Sequence, residues 1–270
     1  MLEVAVTATK NSIQSDFLIE SSMYLGVLYQ HLGWLEIDIE YWEKLHSICQ
    51  KPNASNGIKK LPTHKPNSKS LSWFKKSYGY TKHVVNELEK TPQKKARLGP
   101  AYLYLAVNCA VLGKNVKAAA YSSRGHDICL ANYSRDNVRV GWSFLMQAMT
   151  YAFLENYDKA VEAYKGCLTN FENHFAKEDA FIFFASYNLA LSLHRAGKYE
   201  KSNKILKELI SIRGMSNNPT RNKILNVLIK NLFSQLGSGN NKKIQSMIDG
   251  YTALLCGEVS RMDYFQEKKK

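Results

Sequence analysis

Residues 144–164 and 186–206 align without a gap, forty-two positions apart. Tyr157 matches Tyr199, Asp158 matches Glu200, Lys159 matches Lys201 and Ala160 matches Ser202. A chain that repeats at a period of this size folds as a stack of supersecondary units, each burying its apolar face on the next. A third copy runs Leu103-Tyr-Leu-Ala-Val-Asn-Cys-Ala-Val-Leu-Gly113, followed by Val116 to Ala120. A fourth is Tyr24-Leu25-Gly26, then Tyr29 and Leu32-Gly33-Trp34-Leu35.

The repeating unit is helical. Ile205, Leu206, Leu209, Ile210 and Ile212 follow the i, i+3, i+4, i+7 spacing of an amphipathic helix. Only six prolines occur in 270 residues, and Pro52, Pro62 and Pro66 fall in one short stretch. Proline inside a helix costs about 3 kcal/mol, so the long proline-free spans favour helices. Gly33, Gly113, Gly197, Gly214, Pro219 and Gly237-Ser-Gly239 mark the breaks. These signals predict helices over 12–32, 35–50, 71–90, 93–112, 115–131, 136–154, 157–173, 178–196, 199–212, 218–236 and 240–256. The small residues Gly26, Ala148, Ala160, Ala190 and Ser202 let paired helices approach closely.

Gly197-Lys-Tyr199-Glu-Lys-Ser202 resembles the Gly-x-Tyr-x-x-Ala turn of the tetratricopeptide repeat family. Glu155-Asn-Tyr157-Asp-Lys-Ala160 resembles the same turn with its glycine lost, and Leu25-Gly26 with Tyr29 resembles the family's first-helix pattern. The resemblance implies an all-α fold, a right-handed α-solenoid of TPR-like antiparallel helix hairpins. The repeat is lengthened to about 42 residues from the usual 34. The expected layout is an N-terminal TPR-like hairpin at 1–50, a flexible basic loop at 51–70, TPR-like repeats over 71–260 and a charged tail at 261–270. Together these form one continuous solenoid domain.

Charge is unevenly placed. The chain carries a formal +14, yet residues 1–50 hold seven acidic and two basic side chains. Residues 51–97 hold twelve basic and two acidic. Such a block could meet an acidic protein or nucleic acid, through Lys59, Lys60, Lys75 and Lys76. Eleven of the twelve are lysines, whereas bidentate phosphate recognition favours arginine. Five cysteines stand singly with no CxxC pair, which argues against a disulfide framework and a zinc site and points to a reducing compartment. Neither a signal peptide nor a membrane span is visible, so the expected location is cytoplasmic, with the nucleus also open.

Patterns that would carry catalysis are missing: no HExxH, Walker loop or GxSxG elbow occurs, and no cofactor or metal is implied. His126 and Cys129, at i and i+3, could share a helix face as base and nucleophile, but packing is the stronger reading. Glu36, Glu40 and Glu43 share a face that reads as solvated and could attract the basic stretch after it. Trp73, Tyr80, Val84 and Leu88 read as a packed helix face, in preference to a base-stacking platform.

In the family that the chain resembles, the first helix of each repeat lines a concave groove that takes a peptide. Carried across, that position falls on Met23, Val27, Gln30 and His31, then Tyr104 and Asn108. Leu145, Met149 and Phe153 follow, then Tyr187, Leu191, His194 and Arg195. The family's lysine–asparagine clamp for acidic C-termini is not reproduced. The leading expectation is a non-enzymatic protein- or peptide-binding scaffold. Its alternatives are the sensor domain of a larger transcriptional or signalling regulator, or a nucleic-acid-binding repeat using the 51–97 block. Oligomeric state is not legible at this level.

Overall fold

A computed structural model describes residues 2–61, 66–212, 219–237 and 241–263. Among these residues the regular structure is entirely helical. The helices are α1 (Leu2–Cys49), α2 (Ala54–Lys60), α3 (Ser68–Glu89), α4 (Lys95–Val111), α5 (Asn115–Asn132) and α6 (Val138–Phe153). They continue as α7 (Tyr157–Phe171), α8 (Ala180–Arg195), α9 (Tyr199–Ser211), α10 (Pro219–Leu236) and α11 (Lys242–Asp263). The chain forms two compact units where one continuous domain was expected: residues 1–37 with 66–156, and residues 38–65 with 157–270.

In the first unit, α4 is the central helix, and it packs against α3, α5 and α6. Leu98, Tyr102, Leu105 and Cys109 form its core with Ile19 of α1 and Val84, Val85 and Leu88 of α3. In the second unit, α8, α9, α10 and α11 pack as successive neighbours. Leu206, Ile224 and Leu228 make one cluster there, and Tyr41, Leu45, Leu225, Ile229, Ile248 and Leu255 make another.

Two expectations for the N-terminal part are corrected. Residues 1–50 are not a hairpin, because α1 runs unbroken through Gly33. A Cβ at Gly33 would stand 2.6 Å from the Phe74 ring, so this glycine admits a close neighbour and makes no turn. Trp34 meets the same ring edge-on at 4.9 Å. Second, residues 54–60 of the expected loop are helical. Ile58 and Leu61, three apart and both buried, hold α2 on Leu225 and Ile229. Two apolar residues at helical spacing suffice when a core waits beneath them. Residues 62–65 and 264–270, parts of the expected loop and tail, lie outside the described residues, as do Gly214 and Ser238–Gly239.

The repeat period reappears in the backbone. Gly113 and Gly197 have φ of 72° and 74°, and Glu155, midway between them, has 58°. At each position the next residue donates its N–H to the carbonyl five residues back: Lys114 to Cys109, Asn156 to Tyr151 and Lys198 to Leu193, all 2.8–2.9 Å. These bonds close the exposed C-terminal carbonyls of α4, α6 and α8 in the same way. In the second unit Ser202 Oγ donates to the Ala190 carbonyl at 2.7 Å, and both residues are fully buried. The small pair at this crossing therefore supplies both closeness and a hydrogen bond.

Candidate functional site

Most of the expected groove positions are occupied by the protein itself. Asn108 is fully buried: its Oδ1 accepts from Gln30 Nε2 at 3.0 Å and its Nδ2 donates to Ser77 Oγ at 2.8 Å. Ser77 Oγ in turn donates to the Gly26 carbonyl at 2.7 Å, so one polar network ties α1, α3 and α4 together. Neither Asn108 nor Gln30 can face a partner. Leu145 and Tyr187 are likewise core residues, 3% and 7% exposed, with Tyr187 packed in the Leu206–Leu228 cluster. Tyr104 and Met149 are half-buried against Leu103 and Val107, Phe153 against the α4 core and Trp34, and Leu191 beside Leu206. Asn108, Leu145 and Tyr187 are thus covered by neighbouring helices, Tyr104, Met149, Phe153, Leu191 and His194 are half-buried, and Arg195 is exposed.

The basic stretch is also partly spent. Glu36 pairs with Lys69 at 2.9 Å, as its acidic face suggested, and Lys94 and Arg97 both reach Asp16. Lys76 lies over the Trp73 ring at 4.6 Å and the Tyr29 ring at 5.4 Å. Tyr29 stacks on both Trp73 and Tyr80 at 5.7 Å, so these aromatics hold α1 to α3. Lys75 and Lys76 are exposed in the first unit, Lys59 and Lys60 in the second.

His126 and Cys129 make no catalytic pair. The His126 Nδ1 lies 2.9 Å from Ser143 Oγ, and burial lowers its basicity. Burial also pushes the Cys129 thiol up to about 11, away from thiolate formation. Among the described residues no three His, Cys, Asp or Glu side chains gather as a metal site. No helix of the described residues is long and apolar enough to cross a membrane.

What the second unit does assemble is a cationic cleft of about 410 Å³, lined by Lys59, His194, Lys230, Phe233, Ser234 and Gly237. Three helices contribute: α2 brings Lys59, the last turn of α8 brings His194 next to Arg195, and α10 brings Lys230 and Phe233. Lys230 is buried and its ammonium donates to the Leu61 carbonyl. Burial, then the Arg195 charge, bring its pKa down to about 8. Lys59 Nζ lies 5.0 Å from the centre of the Phe233 ring. His194 Nδ1 donates to Asn231 Oδ1 at 2.5 Å, while Asn231 Nδ2 donates to Ser202 Oγ and Asn203 Oδ1. Burial lowers the His194 pKa, and so does the charge of Arg195. Among the described residues no carboxylate lines the cleft. Two ammonium groups and an aromatic ring therefore share the concavity, and the Arg195 charge acts on Lys230 from nearby.

His194 and Lys59 were marked in the sequence for different reasons, and folding brings them to one cleft. Lys230 and Phe233 were not marked. They sit in a helix that reads only as amphipathic, and the signal that a lysine lands within the apolar stretch Ile224–Phe233 is visible only in retrospect. A roomier hollow of about 570 Å³ in the first unit is lined by Lys95, Arg124, Asp127 and uncharged residues of α5. Its charges are mixed.

Residues 143–174 match the family model for a tetratricopeptide repeat. No curated protein matches the chain in sequence. Among solved structures, the nearly identical TPR-like repeats of a Podosopora anserina protein described as a kinesin light chain superpose with a TM-score of 0.54 at 14% identity, covering 79% of this chain and 95% of that one. A substituted form of the same repeats gives 0.56, with the same identity and coverage. BtubC (BKLC) from P. vanneervenii gives 0.55 at 13% identity, covering 87% and 90%. Folds of this kind generally serve protein–protein interaction. The chain is an all-α helical-repeat protein with the tetratricopeptide-type fold, and the repeat at 143–174 carries that family's sequence signature.

Proposed function

We propose that this protein is a protein-binding scaffold that holds an acidic segment of its partner in the basic cleft of the second unit. The observation that carries this reading is Lys230, a buried ammonium beside a second cation in a cleft without a carboxylate. Burying charge without an opposing charge costs stability, and a site that keeps such a cost commonly has a ligand that offsets it. An aspartate or glutamate side chain next to an apolar residue fits both the ammonium groups and the Phe233 ring.

Nucleic acid is the weaker candidate. Lys69, Lys94 and Arg97 of the 51–97 block are paired with acids of α1, and its Trp73 and Tyr80 stack on Tyr29 of α1.

Fluorescence anisotropy with a labelled peptide of alternating Glu and Leu, against its Gln-for-Glu counterpart, tests the reading. The acidic peptide is expected to bind with a Kd on the order of micromolar and the neutral one at least ten-fold more weakly. Lys59→Glu with Lys230→Gln should abolish the difference. Equal binding of the two peptides, or no loss in the double variant, would overturn the assignment. Preferential capture of a single-stranded oligonucleotide, lost in Lys75→Glu with Lys76→Glu, would replace it.

A further inference from the structure

We infer that the outer face of α1 is a self-association seam that pairs with the same face of a second copy of this chain. Leu18, Leu25, Leu28 and Leu35 are 53%, 37%, 54% and 55% exposed. With half-buried Leu32 they occupy the a and d positions of a heptad: 18, 25 and 32, then 28 and 35. The other side of the same helix is already used. Ile19, Gly26, Gln30, Gly33 and Ile37 are buried in the first unit. A helix at the surface of a monomer needs one apolar stripe, and α1 carries two.

Size and charge single out the occupant. The four leucines and Tyr24, which is 80% exposed, present on the order of 500 Å² of surface, the size of the largest apolar patch on a soluble monomer, and such patches are commonly interaction sites. Two such faces would bury roughly 1,000 Å², the lower limit for a specific interface, so the pair should be reversible. No charged residue stands at an a or d position between 18 and 35. The acids on the rest of this stretch are matched within the unit: Asp16 with Lys94 and Arg97, Glu20 with Arg97, and Glu36 with Lys69. The face is therefore nearly neutral. It offers nothing to a strongly charged partner, and facing itself it sets no like charges in contact. A second identical heptad supplies leucine layers at the matching spacing of 3.5 residues.

The seam lies in the first unit and the basic cleft in the second, so this inference stands or falls independently of the proposed ligand. Sedimentation velocity of the full chain from about 1 to about 200 μM should show the mass doubling with a midpoint on the order of 10 μM. Leu28→Glu with Leu35→Glu should stay monomeric throughout, with unchanged helical circular dichroism. The milder Leu28→Gln with Leu35→Gln, which guards against misfolding, should weaken pairing at least ten-fold. Raising the salt concentration should leave the pair intact or tighten it, since the whole chain carries +14. A monomer at every concentration would overturn the inference. So would a dimer that salt dissolves, or one that ignores the α1 substitutions and is lost when the exposed phenylalanines of α8 are replaced in Phe181→Ala with Phe184→Ala.

Discussion

Glu155 stands at the same left-handed turn position as Gly197, forty-two residues earlier, with φ of 58° against 74°. The two share their hydrogen bonding: each donates its own N–H to the carbonyl three residues back, and the next residue donates five back. A side chain in this conformation costs about 1–2 kcal/mol, which glycine avoids.

Glu155→Gly should therefore stabilise the protein by about 1 kcal/mol, the gain being reduced by the greater freedom of glycine in the unfolded chain. Gly197→Ala should destabilise it by a similar amount. Urea melts followed by circular dichroism at 222 nm read both signs. A loss of stability in Glu155→Gly would show that the exposed glutamate makes a compensating contact.

Gly33→Ala sets helix propensity against packing. Alanine is favoured over glycine inside a helix by about 1 kcal/mol. Here its Cβ would meet three atoms of the fully buried Phe74 ring at 2.6–3.0 Å, and that ring is already held edge-on by Trp34. Overpacking of this kind costs about 1–3 kcal/mol, so the net change should be destabilising. Thermal unfolding should move to lower temperature by several degrees.

Asn108→Leu should lower stability by about 2–4 kcal/mol, because it leaves Gln30 and Ser77 without their buried partner. Tyr187→Ala should cost about 3–5 kcal/mol through the cavity it leaves. Neither residue faces a partner. Both variants, assayed where they remain folded, should bind the acidic peptide as the parent does.

Lys230 makes stability depend on pH. Its pKa falls from 10.5 to about 8 on folding, so between those values the unfolded chain holds a proton that the folded chain lacks. Stability should rise as pH climbs from about 8 to about 10.5, and this group should contribute no slope below about 8. Lys230→Met should remove the slope and stabilise the protein near neutrality by up to roughly 3 kcal/mol, less the cost of the Leu61 carbonyl losing its donor. An anion beside Lys230 favours the ammonium, so peptide capture should take up a proton near pH 8 and weaken as pH rises further. Calorimetry in two buffers of different ionisation heat measures that uptake.

The sequence by itself determined the repeat, its period and the helices of the C-terminal half, because these rest on local rules. Spacing of apolar residues sets the helical face, and a residue with positive φ follows each of α4, α6 and α8. Even the lost glycine at Glu155 was legible as a departure. What only tertiary structure decided is which side of each helix is covered. Asn108 and Tyr187 sit on the predicted face but lie under helices whose positions no local rule supplies. Gly33 reads equally well as a stop or as room for a neighbour, and Phe74, forty-one residues away, makes it the second. The basic cleft has the same origin. Lys59, His194 and Lys230 are remote in the chain, and the packing of α2 and α8 against α10 brings them together.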